Sequence, residues 1–419
     1  MSISPELLRY AAIDAELVAL VKDVKMLSVL SWPAQTQTVF LDNWRKNKIK
    51  LPEVNYRKFD YSEKRYALEQ LIVKCDVEHP IGDYLIRTAQ SYLYATRLLE
   101  SAGTEAMGAY SVQLYGKPGD TISGSQVKNT EAARHFILSA REIMQDGRLA
   151  EPDYCLSAET MQKEMQAELD KFFVNHKVTV TVDPELVAKA AAGPTKIRLR
   201  AATSFTEYDR MQLLEHEAYV HSLTALNGRE QPYLKSLGLN SPRITATQEG
   251  LAVFAELVTG SIDLGRMNRI SQRIIGIDMA MKGADFIDVF RFFMDEGQSD
   301  SEAFTSAMRV FRGAPLTGGV AFTKDTVYLH GLLSVHTFFR WVFKQNKLVM
   351  SRHLFAGKMT LHDVLSFEPF YESGFISEPQ YLPRWAQRTN ALAGYLSFSL
   401  FANKIRLDQI EREDLRLGV

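Results

Sequence analysis

The fragment HEAYVH places two imidazoles and a carboxylate within six residues: His216, Glu217 and His221. Imidazole nitrogens and carboxylate oxygens are ligands from which a protein builds a zinc site, and a carboxylate beside such a site can act as a general base. The usual hydrolase spacing, His-Glu-x-x-His, sets its histidines one helical turn apart on a single face. Here one more residue separates them. In a regular α-helix a five-residue step turns a side chain by about 140° from the first, so His216 and His221 would point to different sides. A π-type turn, with its i to i+5 hydrogen bond, absorbs the extra residue, and such turns cluster at functional sites. A metal site here therefore predicts a π-bulge from Glu217 to His221. Two plainer readings stay open: a chance match, expected in roughly one chain in a hundred, and a surface pair between Glu217 and His221 at i, i+4.

A zinc site needs a third protein ligand. The chain has two cysteines, Cys75 and Cys155, far apart and in no Cys-x-x-Cys arrangement, so any metal must use His and carboxylate. The stretch TATQEGLAVF offers Glu249, 28 residues beyond His221. With Thr245 or Thr247 as N-cap, Glu249 falls in the first turn of a helix, where the dipole favours its carboxylate. Gly250 and Ala252 are small enough to let that helix lie close against the His216 helix. A glutamate that only stabilises its own helix is the alternative. A substrate carboxylate near such a site would call for a cation, best a guanidinium. Arg229, Arg243 and Lys324 are candidates, Arg243 lying close in sequence to the Glu249 helix. Tyr328, one helical turn after Lys324, could hydrogen-bond a developing oxyanion. His330 and His336 lack neighbouring acids and read as packed core or pocket groups.

The elements that must position these groups change character along the chain. Apolar residues recur at three and four over 5–30, 62–75, 81–103, 127–146 and 157–174, the stripe of amphipathic helices. From 176 the period becomes two: KVTVTV (177–182) and KIRLR (196–200) alternate as strands, and PELVAKAAAG between them reads as helical. KIRLR could be an edge strand that pairs with an extended peptide, or a strand inside a small sheet. Thr206 and Asp209 resemble a capping pair that starts the helix carrying HEAYVH. From 247 onward the pattern is helical again, ending in a long apolar helix over 327–343. These patterns predict a mainly α fold with a small β-sheet and a boundary near 175, with 1–175 a helical N-terminal domain and 176–419 the catalytic one.

Composition narrows the class. The 419 residues are 46% apolar and 24% charged, ordinary for a globular chain able to bury a large core. Net charge is -1, so no global field draws in nucleic acid or an anionic membrane. Charges interrupt the N-terminal apolar stretch, and the late apolar segments are broken or short, so neither a signal peptide nor a membrane span is expected. A cytoplasmic location is the default expectation, with the oligomeric state open.

Taken together, HEAYVH, NGREQP (227–232), TATQEGLA and GGVAFTKDTVYLHG resemble the flavohemoglobin expression-modulating QEGLA motif proteins, a family that includes the microtubule-associated tyrosine carboxypeptidases. The likeness is dense from about 177 to 335 and thinner elsewhere. It implies a zincin-like zinc metallopeptidase with His216, His221 and Glu249 as metal ligands and Glu217 as general base. Eukaryotic members remove a C-terminal tyrosine from tubulin, and the QEGLA spelling resembles the bacterial branch. Lys324 lies in the family's Phe-Thr-Lys-Asp element, which favours it with Arg243 for substrate binding. The expected activity is a zinc carboxypeptidase acting on a peptide or protein C-terminal tail. A regulatory protein with a non-catalytic metal site, and hydrolysis of another amide or ester, are the alternatives.

Overall fold

The stripes of the first part of the chain form helices α1 (Pro5–Val21), α2 (Ala34–Arg45), α3 (Ser62–Val73), α4 (Pro80–Glu100), α5 (Ala106–Tyr115), α6 (Asn129–Met144) and α7 (Ala158–Phe172). They are seen in a computed structural model that describes residues 3–144, 155–186 and 188–406. Their starts follow local chemistry: Ser4 and Ser157 accept hydrogen bonds from backbone N–H groups of α1 and α7, and Pro5 opens α1. The stripe expected over 5–30 is divided, because α1 stops at Val21 and a separate turn, Met26–Val29, follows. The last two residues of the helix expected over 127–146 lie outside the described residues.

Three short strands follow, β1 (Thr179–Asp183), β2 (Ala190–Ala192) and β3 (Lys196–Arg200), in the order β1-β3-β2. One expectation changes here, and an open alternative is decided. The segment expected to be helical, 184–193, supplies β2, which folds back antiparallel on β3 with Ala191 opposite Arg198. Alanine's helix propensity is a weak prior, and the ladder bonds outweigh it. KIRLR is the central strand, since β1 pairs with its other side with Val180 opposite Ile197. The alternation holds, with Ile197 and Leu199 buried, but both backbone edges of β3 are taken. Among the described residues, the unpaired sheet edge beside the site is that of β2.

The chain then enters α8 (Glu207–Leu213), whose Thr206–Asp209 capping box is closed in both directions. It continues as a π-helix, Leu214–Ser222, and then as α9 (Leu223–Glu230). The remaining long helices are α10 (Thr245–Val258), α11 (Leu264–Met281), α12 (Phe286–Asp295), α13 (Asp300–Phe311), α14 (Val327–Lys344) and α15 (Thr389–Ala402). The largest apolar cluster runs from Tyr10 on α1 through Leu85, Ala218, Phe254 and Leu329 to Leu396 on α15. A second packs Phe286, Phe290, Phe304 and Phe311 around Trp32 and Phe40. Among the described residues no helix is long and apolar enough to cross a membrane.

One crossing sets the position of the site. A Cβ built on Gly250 of α10 would fall 2.2 Å from the carbonyl carbon of Gly331 on α14, and one on Gly331 would fall 2.2 Å from the Ala246 oxygen. The two backbones touch there. The tight approach expected of Gly250 is therefore to α14 rather than to the His216 helix.

Candidate metal centre

The π-helix extends four residues beyond the turn expected from Glu217 to His221, covering Leu214–Ser222. Its wider winding turns His216 and His221 towards each other, with ring centroids 4.8 Å apart and planes at 86°. Glu249 arrives from α10. Its place differs from the expectation: a 3-10 turn, Pro242–Ile244, precedes α10, no side chain caps it, and Thr245 is its first residue. Glu249 thus sits in the second turn, where the dipole contributes little. Other charges hold it there instead.

Ligand atoms of His216, His221 and Glu249 all lie within 4.8 Å of one another. Glu249 Oε2 is 3.5 Å from His216 Nε2 and 3.6 Å from His221 Nε2. These separations exceed an ordinary N–H···O bond of about 2.9 Å. They are close to the ~3.3 Å between neighbouring ligands of a tetrahedral zinc with bonds of ~2.0–2.1 Å. The donor set, two imidazoles and one carboxylate, suits a divalent ion such as zinc.

Buried groups surround these three. His216 Nδ1 lies 2.6 Å from Glu256 Oε1, which leaves Nε2 for the centre. Glu256 is fully buried and also accepts hydrogen bonds from Gln212 (3.0 Å) and Arg266 (3.1 and 3.2 Å). Lys324 Nζ donates to Glu249 Oε1 at 2.8 Å, which leaves Oε2 facing the histidines. Burial opposes charge on Glu249, but Lys324 and the two imidazoles overcome it and hold its pKa well below the carboxylate range. Burial likewise opposes charge on His216, and its contacts with Glu249 and Glu256 outweigh this and push its pKa up to about 10. The pocket therefore favours positive charge where the three ligands meet.

The centre opens on a cleft of about 470 Å³, in the range of small-ligand pockets. Glu217 lines it and makes no side-chain hydrogen bond among the described residues, so its carboxylate is free to meet a water. β2 forms one wall, and Ser222 Oγ at the end of the π-helix donates to Gly193 O at 2.8 Å, tying the strand to the site. Met26, Tyr92 and Tyr115 bring in the N-terminal helices.

The other sequence candidates fall unevenly. Lys324 and Tyr328 line the cleft, with Lys324 Nζ 5.3 Å from the Tyr328 ring centre. Arg243 is not among the lining residues. It donates to both oxygens of Asp363 at 2.9 and 2.8 Å, a bidentate pair that occupies its guanidinium. Arg229 is exposed and outside the cleft. His336 packs 6.1 Å from Phe254, and His330 lines a separate small cavity behind α10.

Several residues were missed. Glu256 stands as a lone charge in the apolar run GLAVFAELV, two helical turns after Glu249, which was a readable signal. Lys358, alone in HLFAGKMTL, lines the cleft, and its Nζ donates to Asn240 Oδ1 at 2.6 Å. Burial pushes its pKa down to about 8. The NGREQP element proves to be a clasp for the segment carrying it. Asn227 Nδ2 donates to the carbonyls of Phe355 and Tyr381, and Gln231 Nε2 to those of Ala356 and Ser377.

The sequence profile of the microtubule-associated tyrosine carboxypeptidases matches residues 40–404. The chain belongs to this family. The match takes in all the residues gathered at the centre, from His216 to Lys358, and most of the N-terminal helices that wall the cleft of this carboxypeptidase family member. No curated protein matches the chain. A crystal structure described as a lipoprotein from Colwellia psychrerythraea is similar at a TM-score of 0.42 and 13% identity, over 87% of this chain and 66% of that one. That likeness is too low to bear on fold or function.

Proposed function

We propose that this chain is a zinc-dependent carboxypeptidase of the QEGLA branch, cytoplasmic and acting on the C-terminal tail of a peptide or protein. The observation that carries the reading is the convergence of His216, His221 and Glu249, with Glu217 beside them in one cleft. Family membership supports the reaction class. His216, His221 and Glu249 would hold the ion. When bound, zinc supplies a Lewis acid that makes water more acidic and polarises a carbonyl. Glu217 takes the proton of the attacking water and passes it to the leaving amine. Glu256 and Lys324 orient the ligands, and Tyr328 donates towards the oxygen of the carbonyl under attack. The peptide lies extended along the free edge of β2, with main-chain hydrogen bonds holding its register. In this reading residues 176–419 form the zincin-like catalytic domain and 1–175 shape the cleft.

Replacing Glu217 with Gln removes the base and leaves the ligands in place. Turnover should fall by about 100- to 10,000-fold while zinc content is unchanged. The measurement is a screen of peptides with varied C-terminal residues, run with and without a chelator. Selective loss of terminal Tyr or Phe supports the reading and gives its specificity. A zinc-loaded wild-type protein that cleaves none of the peptides points instead to a regulatory metal-binding role.

A further inference from the structure

Helix α15 carries no charged residue from Thr389 to Ala402, and its apolar residues lie all around its circumference. A helix of that kind is normally enclosed on every side. Here the rest of the chain covers one side, where Leu392 and Leu396 are buried. The other side exposes Ala391, Gly394, Tyr395, Phe398 and Phe401, with Phe398 73% and Phe401 65% accessible. A Cβ built on Gly394 would meet nothing within 4 Å. Glycine weakens a helix interior relative to alanine, so its use where the chain itself leaves room calls for a neighbour from outside.

The spacing of the exposed seam identifies that neighbour. Ala391, Gly394, Phe398 and Phe401 follow one another at three, four and three residues, the a/d repeat by which two helices interlock. The two small residues come first and the two large ones after. In an antiparallel pair with its two-fold axis beside Leu396, Gly394 falls opposite the partner's Phe398 and Ala391 opposite the partner's Phe401. Every level then sets a ring into a notch. A parallel pair would put ring on ring at one level and glycine on glycine at the next, overfilled and then empty.

The seam is thus complementary to itself, as a closed two-fold contact requires. A bilayer would take up the rings but has no use for the notch, and a charged partner finds no charge on this helix to pair with. The area agrees. Tyr395, Phe398, Phe401 and Ile405 just past the helix end offer roughly 500 Å² of apolar surface. Two copies would bury about 1,000 Å², the lower bound for a specific interface.

We infer that α15 is a docking surface for a second copy of this chain, the Phe398 and Phe401 rings of each copy filling the Ala391–Gly394 notch of the other. An interface of this size gives a reversible dimer with a Kd on the order of 1–100 μM. No residue of α15 lines the cleft, so the inference stands apart from the peptidase reading.

The test is sedimentation velocity of the full chain at concentrations that bracket this range. Wild type should pass from monomer to dimer. Gly394→Phe sets ring against ring, and Phe398→Ala leaves a hole against the notch. Each should weaken the dimer by at least about 30-fold, because buried aromatic anchors carry most of the binding energy and each change occurs twice. The double variant exchanges ring and notch and should bring the dimer back. Gly394→Ala favours the isolated helix but narrows the notch, so it should weaken the dimer and leave the fold intact. Circular dichroism checks the fold of each variant. A wild type that stays monomeric overturns the inference, as does a dimer that survives both single changes, since it would use another surface. A double variant no better than the single ones rules out this pairing. Wild type that stays monomeric but sediments with phosphatidylcholine and phosphatidylserine vesicles would assign the face to a membrane and overturn the inference as well.

Discussion

A histidine ligand has two ring nitrogens, and what the second one touches sets what the first can do. In His216 the second meets Glu256, which is itself gripped by Arg266. Burial works against the Glu256 charge, but Arg266 and His216 outweigh it and hold its pKa down to about 2. The carboxylate is thus charged at any working pH and pulls on the imidazole N–H. Glu256→Gln keeps the shape and removes the charge. Zinc affinity should fall by about 10- to 100-fold in competition with a chromophoric chelator. The variant should also be less stable by about 3–5 kcal/mol, because Arg266 is left as an unpaired buried charge. Unchanged zinc affinity would show that Glu256 serves stability alone.

At the scale of elements, two devices bring the candidate ligands together. The π-helix turns two histidines five residues apart onto one side, and the α10–α14 crossing carries Glu249 to meet them. Glycine is required at that crossing because a side chain would overlap backbone, which cannot swing aside. Gly331→Ala should cost about 1–3 kcal/mol or more through overpacking, and by pushing α10 away it should lower zinc content as well. Gly394 on α15 is the control: a Cβ there meets nothing within 4 Å, so Gly394→Ala should be neutral or gain up to about 1 kcal/mol. Thermal midpoints of the two variants check this, and equal shifts would refute the crossing argument. The histidine spacing, the Thr206–Asp209 cap and most helical stripes were legible because each is settled within a few residues. The strand at Ala190–Ala192 was not, since an alanine run becomes a strand only when β3 offers it a ladder.

At the scale of the molecule, the N-terminal helices and the elements that carry His216, His221 and Glu249 share one core. Asp14 on α1 is fully buried and accepts hydrogen bonds from the Ser236 N–H at 3.1 Å and from its hydroxyl. Burial raises its pKa to about 6, although the Ser236 bonds pull the other way. The folded state therefore holds this proton more tightly than the unfolded chain, whose value is near 3.8. Between about pH 4 and 6 the contribution of Asp14 to stability falls as pH rises, and above 6 the full penalty, about 3 kcal/mol, is present. Asp14→Asn keeps a donor and an acceptor for Ser236 and abolishes the titration. Urea unfolding from pH 4 to 7 should show the wild-type curve falling relative to the variant across that window. Parallel curves would mean that the carboxyl loses its proton as readily in the folded state as in the unfolded chain, so that burial does not shift it.

What the amino-acid order determined alone was the local chemistry: a two-histidine motif with one residue too many, a glutamate beside glycine in an apolar helix, and caps and stripes that marked most helices. What only the tertiary structure decided was which distant groups meet. His216 and Glu256 are 40 residues apart, Arg243 and Asp363 120, Asn227 and Phe355 128. Periodicity and capping act over one or two turns and leave a mark in sequence, whereas a buried charge takes whichever partner the packed core brings within reach. That is why Arg243 is bound to Asp363, and why the pair could not be read from the residues beside either partner.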